Sequence, residues 1–128
     1  MQKIRSKDTV PEQQVARLLR ALRYTVLTQE TNLPGKPDFV LPRHKLAIFV
    51  HGCFWHRHRC RRGQSKPSTH AKFWERKFAT NVRRDRKVRV ALRKLNYKVL
   101  VIWECQLRKP DVIKKRIRAV SQKNARPE

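Results

Sequence analysis

The sequence predicts an α/β protein in which a central mixed sheet is flanked by helices. Segments rich in β-branched and aromatic residues alternate with segments whose apolar residues recur every three or four positions, as on one face of a helix. The 128 residues suffice for one domain with a modest core, and no internal repeat or long linker divides them. We therefore expect a single domain over residues 1–128, with a basic tail from about residue 122.

The first half of the chain should form one helix and three strands. Thr9-Val10-Pro11-Glu12 is a capping-box pattern with proline in the first turn, so a helix should follow to about Arg23. Its apolar stripe consists of Val15, Leu18, Leu19 and Leu22. The three strands are expected at 24–29, 38–41 and 45–51, separated by turns at 33–37 and near 42–44.

The second half should form a long helix from Ala71 to Leu95, a strand from Tyr97 to Trp103 and a helix that begins at Pro110. The last helix carries Ile113, Ile117 and Val120 on one face. The resulting element order is α-β-β-β-α-β-α, which a mixed sheet flanked by helices would accommodate.

An acidic residue interrupts the apolar stripe of the long helix. The stripe consists of Trp74, Phe78, Val82, Asp85, Val88, Leu92 and Leu95. A carboxylate on a buried face needs a hydrogen-bonding or charged partner. Asp85 therefore either pairs with an arginine or orients a catalytic histidine.

The chain is strongly basic. Lysine and arginine number 33 against 9 acidic residues, which gives a formal net charge of +24. Such a chain repels itself unless a polyanion is close, so nucleic acid is the expected partner. The alternative of a basic disordered protein disagrees with the 39% of hydrophobic residues, because they fall in periodic blocks.

Neither a signal peptide nor a membrane span is expected. The longest apolar runs, such as Leu46–Val50, are far too short to cross a bilayer. Three cysteines cannot all pair within one chain, which fits a reducing compartment. We expect a cytoplasmic, nucleoid-associated protein. A monomer is expected because no sequence feature indicates a dedicated dimer face.

The segment Phe49–Cys60 contains two cysteines and three histidines within a dozen residues. The spacing Cys53-x4-His58-x-Cys60 lets three ligands converge from one loop. Cys105, just past a predicted core strand, would complete a tetrahedral Zn²⁺ site. This zinc would be structural, because it would pin a basic loop to the sheet. The alternative is three buried cysteines without a metal.

Asp38 begins a predicted strand directly after a Pro-Gly-Lys-Pro turn. A Pro-Asp pair before an apolar strand is common in nucleases that bind Mg²⁺, where the carboxylate holds the metal beside the scissile phosphate. Pro-Asp is also ordinary turn chemistry, and Glu12 is equally well explained as a capping residue. The zinc site needs one histidine, so two histidines remain that can take a proton from an attacking water.

Aromatic and basic side chains around the predicted zinc ligands are typical of a DNA-binding surface. Phe54 and Trp55 can wedge between base pairs or stack on bases, although they can also simply pack the zinc loop. Basic side chains in the loop and on the outer face of the long helix would meet backbone phosphates. These are Arg57, Arg59, Arg61, Arg62, Lys66, Arg83, Arg84, Arg86 and Lys87.

A set of short motifs resembles the very short patch repair (Vsr) mismatch endonucleases, from Met1 to about Arg108. The motifs are Ile4–Thr9, Leu33–Asp38, His51–His56, Phe73-Trp74, Asn81, Arg84–Arg86 and Trp103–Cys105. The resemblance implies a restriction-endonuclease-like core, which agrees with the element order. It also implies a nick on the 5′ side of the thymine in a T:G mismatch, the product of 5-methylcytosine deamination.

The resemblance also implies roles for individual residues. Asp38 matches the Mg²⁺ ligand, helped by the backbone carbonyl of Val50. His56 matches the general base, and His51 matches a second histidine near the phosphate. The remaining matches are Glu12 and Asp85 for the other acidic residues, Cys53, His58, Cys60 and Cys105 for the zinc ligands, Phe54 and Trp55 for the aromatic wedge, and Met1 for an apolar wedge in the opposite groove.

The resulting hypothesis is Mg²⁺-dependent hydrolysis of one phosphodiester in T:G-mismatched double-stranded DNA, with other repair proteins as partners. Two alternatives remain open from the sequence. One is a relaxed or mobile-element nickase that acts on matched DNA, because the chain is more basic than expected of a site-selective repair enzyme and because mismatch selectivity in the family also involves a DNA-clamping arm upstream of Met1. The other is a non-catalytic, zinc-stapled DNA-binding module, which would not need Asp38, His56 and Asp85 together.

Overall fold

The structure, a computed structural model, describes residues 10–28, 32–53 and 69–122. Within these ranges, α-helices and strands follow each other in the predicted order. They are α1 (Val10–Ala21), β1 (Leu27–Thr28), β2 (Phe39–Leu41), β3 (Leu46–His51), α2 (Ala71–Lys94), β4 (Lys98–Trp103) and α3 (Pro110–Gln122). The predicted α/β class with a mixed sheet is therefore confirmed.

The sheet has the order β1-β2-β3-β4. The pairs β1/β2 and β2/β3 are antiparallel, whereas β3 and β4 are parallel, from Leu46 opposite Lys98 to His51 opposite Trp103. A parallel pair needs a crossover connection, and α2 lies within it. The carboxyl ends of β3 and β4 therefore meet at one edge of the sheet, where functional side chains can gather.

Alternation along the central strands gives the sheet two apolar faces. The first face packs against α1 and α3 and contains the larger core. This core consists of Val15, Leu19, Phe39, Leu41, Leu46, Ile48, Leu100, Ile102, Ile113 and Ile117. All of the predicted apolar faces of α1 and α3 contribute to it, with Leu18, Leu22 and Val120 at its margin.

The second face of the sheet packs against α2. Ala47, Phe49 and Leu92 are buried there, and partly buried residues complete the cluster. These partly buried residues are Leu33, Val88, Tyr97, Val99 and Val101. Because side chains alternate along β3, His51 at its end projects to the same side as Phe49, toward α2.

The predicted stripe on α2 is only partly buried. Phe78 and Leu92 are buried, but Val82 is 36% exposed and Leu95 is 48% exposed, so their predicted burial is wrong. The cause is a difference in length. A helix of 24 residues spans about 36 Å, whereas a strand of 6 residues spans about 20 Å, so the sheet cannot cover the whole helix face.

Element boundaries differ from the prediction where local backbone geometry intervenes. Helix α1 ends at Ala21, because Arg23 adopts a left-handed conformation with φ 63°. The Tyr24 N–H donates to Leu19 O at 3.3 Å, so β1 starts only at Leu27. Short 3₁₀ helices occupy Pro42–His44 and Glu104–Arg108, and the second of them was not predicted.

None of the helices in the described parts of the chain is long and apolar enough to cross a membrane.

Gly35 lies in the turn before β2 and faces α2. Its φ of +76° is unfavourable for other residues, and an added Cβ would overlap Cγ1 of Val88 and lie 2.9 Å from Cγ2. The turn therefore requires glycine both for its backbone conformation and for the close approach of α2.

We expect Gly35→Ala to lower the free energy of unfolding by about 2 to 4 kcal/mol, because left-handed strain and overpacking add. In a Val88→Ala background the same substitution should cost only about 1 kcal/mol, because the overlap is gone while the strain remains. Urea unfolding of the parent, the two single variants and the double variant measures both costs. Equal costs in the two backgrounds would contradict this explanation.

Candidate active site

A cavity of about 400 Å³ opens at the carboxyl end of β3, between the sheet and α2. Its lining combines residues from the turn before β2, the end of β3, the first turn of α1 and the middle of α2. The lining residues are Glu12, Gly35, Lys36, Asp38, Phe49, Val50, His51, Arg84, Asp85, Val88, Arg89 and Val101. Every described residue predicted for magnesium or for catalysis lies in this cavity.

Asp38 is positioned by the hairpin of β2 and β3. It precedes β2, which is antiparallel to β3, so it lies beside the end of β3. The backbone N–H of Val50 donates a hydrogen bond of 2.7 Å to Oδ2 of Asp38. Such charge-assisted bonds are short and directional, so the carboxylate is held in a fixed orientation at the cavity.

Two further carboxylates reach the cavity from the helices. Glu12, in the first turn of α1, is only 8% exposed. Asp85 lies half-buried in the middle of α2. Acidic residues from three separate elements thus line one cavity. This grouping explains why Asp85 interrupts the apolar stripe: the stripe passes over the cavity at this point instead of over the core.

His51 is the titratable residue of β3, and it is buried. It ends the strand, is 7% exposed and lines the cavity beside Asp38. Its ring meets Trp103 edge to face, with 5.1 Å between the ring centroids, and lies 5.9 Å from the ring of Phe49. These aromatic contacts fix the plane of the imidazole, which a group that handles a proton at one position requires.

Three cations lie among these acidic groups, namely Lys36, Arg84 and Arg89. Arg84 was predicted to contact DNA, whereas Lys36 and Arg89 were not singled out from the sequence. For both residues, the spacing to a predicted site residue could have indicated this location. Lys36 is two residues from Asp38, and Arg89 is four residues after Asp85 on a helix, which places it on the same face. The charges that line the cavity therefore suit an anion as well as a metal ion.

The cavity's metal-binding capacity rests on few protein groups. Among residues 10–28, 32–53 and 69–122, no three histidine, cysteine or acidic side chains form a group that could hold an ion. Mg²⁺ commonly takes only one or two carboxylates and keeps several waters. The donor set therefore fits a hydrated Mg²⁺ on Asp38 better than a fully enclosed ion.

Cys53 and Cys105 come together at the end of β3 and β4. Cys53 is buried, and its Sγ accepts the backbone N–H of Cys105 at 3.4 Å. Both are thiols, with no disulfide between them. Two of the four predicted zinc ligands, which are far apart in the sequence, therefore lie next to each other. The other two predicted ligands, His58 and Cys60, lie outside the described residues.

Several other predicted residues also lie outside the described ranges, so no contact is assigned to them. They are Met1, Phe54, Trp55, His56, Arg57, Arg59, Arg61, Arg62 and Lys66. Of the predicted DNA-contacting residues within the described ranges, Arg83, Arg84, Arg86 and Lys87 are all exposed on α2. Their exposure agrees with the predicted outward face.

An aromatic cluster at the start of α2 extends this surface. Phe73 is 52% exposed and meets Trp74 edge to face, with centroids 5.4 Å apart. Trp74 in turn lies 5.8 Å from Phe78. The prediction placed Trp74 in the buried stripe, but the residue is only half-buried, because this end of α2 extends past the sheet.

Comparison with known proteins identifies the class. The model of the DNA mismatch endonuclease Vsr family matches residues 1–62. The type II nicking enzyme V.XorIIP of Xanthomonas oryzae is 40% identical over 120 residues, which cover 94% of this chain and 88% of that protein. The DNA mismatch endonuclease Vsr of Escherichia coli is 42% identical over 108 residues, which cover 84% of this chain and 69% of that protein.

A third relative, the type II nicking enzyme V.NmeAIP of Neisseria meningitidis, is 38% identical over 117 residues, or 91% of this chain and 83% of that protein. The alignments with V.XorIIP and V.NmeAIP include the residues that line the acidic cavity. Together these relatives show that this chain is a DNA endonuclease. The chain belongs to the Vsr family of DNA mismatch endonucleases.

The bond between Val50 and Asp38 yields a stability prediction. Asp38→Asn keeps an oxygen that can accept the Val50 N–H, so the free energy of unfolding should change by less than about 1 kcal/mol. Asp38→Ala removes the acceptor and should cost about 1 to 3 kcal/mol. Urea unfolding without metal distinguishes the two variants. Equal destabilisation would mean that the hydrogen bond does not hold the carboxylate.

Proposed function

We propose that this endonuclease nicks one strand of duplex DNA on the 5′ side of the thymine in a T:G mismatch, in a reaction that depends on Mg²⁺. The observation that carries the proposal is the convergence of Asp38, Asp85 and Glu12 in one cavity with His51 and three cations. A relative with 42% identity carries the name DNA mismatch endonuclease, which supports the same substrate for this chain.

In this proposal Asp38 and the backbone carbonyl of Val50 would hold a magnesium ion. Bound there, Mg²⁺ would supply positive charge to the phosphate and to the leaving 3′ oxygen as charge develops on them. The hydrogen bond from the Val50 N–H fixes the orientation of the Asp38 carboxylate at the cavity. Glu12, which lines the cavity from the first turn of α1, is proposed to bond to a water on the bound metal.

Proton transfer is assigned to the histidines. His56, which lies outside the described residues, is the proposed base that takes a proton from the attacking water. His51, which ends β3 and contacts Trp103 edge to face, is proposed to lie near the phosphate. Asp85 is proposed to orient one of these two histidines. Arg84, Arg89 and Lys36 would then hold the phosphate by charge-assisted hydrogen bonds.

Mismatch selectivity would come from the cost of opening the base stack. Phe54 and Trp55 are proposed to wedge into the duplex, with Met1 on the opposite groove. Unstacking costs least where pairing is already imperfect, so insertion at a T:G pair is favoured over insertion at a matched pair. On α2, whose exposed face is basic, Phe73 adds exposed apolar surface.

A structural Zn²⁺ is proposed on Cys53, His58, Cys60 and Cys105. The juxtaposition of Cys53 and Cys105 supports it, because backbone N–H groups that donate to sulfur stabilise the thiolate form that zinc requires. Four protein ligands leave no open position, so this ion would hold the loop without entering the chemistry. A monomeric state, a cytoplasmic nucleoid location and contacts with other repair proteins stay predictions.

The reaction is tested with a labelled duplex that contains one T:G mismatch and with its fully matched twin, each with Mg²⁺ and with chelator. We expect a single nick 5′ of the mismatched thymine, only with Mg²⁺. Asp38→Asn should slow the nicking rate at least about 100-fold, because a metal ligand loses its charge, while DNA binding is retained.

The contrary outcomes separate the alternatives. Equal nicking of both duplexes would replace the repair function with a relaxed or mobile-element nickase. Binding without any nicking would contradict the assigned active site and favour the non-catalytic module. Full activity of Asp38→Asn with Mg²⁺ would mean that the cavity at β3 is not where the metal acts.

The zinc proposal is tested by metal content and thermal unfolding of the purified protein. We expect about one zinc per chain and a lower Tm after chelation, because a structural zinc contributes directly to folding free energy. Cys105→Ser should lose the zinc. His70→Ala is the matched control, since His70 is exposed and not a predicted ligand. Unchanged zinc content in Cys105→Ser would remove Cys105 from the site.

A further inference from the structure

The 3₁₀ turn that follows β4 is fastened by the side chain of Gln106, which lies within it. Oε1 of Gln106 accepts two hydrogen bonds, one from the backbone N–H of Trp103 at 3.0 Å and one from Nη1 of Arg116 at 2.9 Å. The first bond is the half of a capping box in which the third residue reaches back to the N-cap N–H. Because a carbonyl oxygen has two lone pairs, both of its acceptor positions are used.

Arg116 connects this turn to α3 and to the sheet. It lies half-buried in the middle of α3, and its Nη2 donates to the carbonyl oxygen of Val101 in β4 at 3.3 Å. Val101 and Trp103 are two residues apart in one strand, so their backbone groups point to the same edge of β4. The planar guanidinium holds its two donors in a fixed fork. We call Gln106 and Arg116 together the edge clamp.

The edge clamp holds the backbone from which two contacts of the site extend. The ring of Trp103 meets the ring of His51 edge to face, with 5.1 Å between the centroids. The backbone N–H of Cys105 donates to Sγ of Cys53 at 3.4 Å. Gln106 follows Cys105 directly and bonds back to Trp103, so one hydrogen-bonded turn contains both contacts.

The two sides of the cavity are therefore fixed by different bonds. On the side of β2, the Val50 N–H orients the carboxylate of Asp38. On the side of β4, His51 packs against Trp103, whose backbone is bonded to Gln106. If the backbone of Trp103 shifts, the imidazole of His51 loses its fixed position relative to Asp38. A misplacement of about 1 Å at a reacting group can slow a reaction about 100-fold.

The location of the edge clamp distinguishes it from ordinary capping. Caps and covered sheet edges stabilise many proteins without affecting their chemistry. Here both backbone groups that the clamp binds belong to residues of the site, because Val101 lines the cavity and Trp103 contacts His51. Neither Gln106 nor Arg116 is among the residues that line the cavity, so any effect on the reaction must act through these neighbours.

We propose that Gln106 and Arg116 are positioning residues for strand nicking, which act through Trp103 on the orientation of His51. The expected effect on the rate rests on the proposed function, in which His51 lies near the phosphate. The expected effect on the His51 ring rests only on the contacts of the clamp.

Two substitutions at Gln106 separate the hydrogen bonds from the size of the side chain. Gln106→Leu removes the acceptor, whereas Gln106→Glu keeps an oxygen that can accept from both donors. In single-turnover nicking of the mismatched duplex at saturating protein, Gln106→Leu should be about 10- to 100-fold slower. Its DNA affinity should match that of the parent, because the clamp does not line the cavity. Gln106→Glu should keep a rate close to that of the parent.

Arg116→Gln and Arg118→Gln form a matched pair, since each removes one positive charge from α3 and Arg118 is exposed. Any loss of electrostatic attraction to DNA should be the same in both, but only Arg116→Gln should lower the rate at saturating protein. In the double variant Gln106→Leu/Arg116→Gln, the loss of rate should be much smaller than the product of the two single losses, because both changes remove the same bond.

The NMR signals of the His51 imidazole test the positioning without cleavage, because the ring lies close enough to Trp103 to feel its ring current. Gln106→Leu and Arg116→Gln should shift these signals, whereas Gln106→Glu and Arg118→Gln should leave them near those of the parent. All variants are compared well below their Tm.

Unmoved His51 signals in Gln106→Leu would overturn the proposal. A nicking rate in Gln106→Leu equal to that of the parent, or equal losses of rate in Arg116→Gln and Arg118→Gln, would also overturn it. A parent protein that fails to nick the mismatched duplex would contradict the proposed function, and the His51 signals would still decide whether the edge clamp sets the position of that ring.

Discussion

The pairing of β2 with β3, closed at one end by the hydrogen bond from Val50 to Asp38, is the constraint on which the site depends. It places a charged carboxylate at the exact edge where β3 and β4 end together. His51 reaches the same edge because it terminates β3. The cysteines follow for the same reason: Cys53 comes two residues after β3, and Cys105 comes two residues after β4. The cavity is thus a consequence of strand register more than of loop shape.

Helix α2 converts this edge into a surface suited to DNA. It packs against the sheet through Val88 and Leu92 and continues well past the strands. Its middle turns deliver Asp85, Arg84 and Arg89 to the cavity, while its first turns present Phe73 to solvent. Gly35 permits this approach, because any side chain there would meet Val88. One long helix therefore provides core packing, cavity lining and an exposed basic face.

Much of the fold was accessible from the sequence, because periodicity reports which faces are buried. The stripes of α1 and α3 were predicted from their spacing, and the order of elements followed. The limits have physical causes. The spacing of apolar residues could not show that α2 extends beyond the sheet, which leaves Val82 and Leu95 exposed. Nor could it show that Arg23 adopts a left-handed conformation and ends α1 early, since side-chain spacing does not report a single backbone torsion angle.

For the site, motifs indicated Asp38, His51 and Asp85, but only the three-dimensional arrangement gathers Lys36 and Arg89 around them. The closeness of Lys36 to Asp38 and of Arg89 to Asp85 in the sequence was a signal, but a weak one in a chain with 33 lysines and arginines. Asp85 could be singled out from the sequence, because an acidic residue on an apolar stripe is a local inconsistency of the kind expected at functional positions.

The central claim, that a metal ion acts at the edge where Asp38 meets Val50, is tested most directly with Mn²⁺ as a paramagnetic substitute for Mg²⁺. Mn²⁺ favours the same oxygen ligands and broadens nearby NMR signals. Titration into isotopically labelled protein should broaden the backbone amides of Asp38, Val50 and His51 first, and Asp38→Asn should abolish that effect. Broadening that starts elsewhere and persists in Asp38→Asn would contradict the claim.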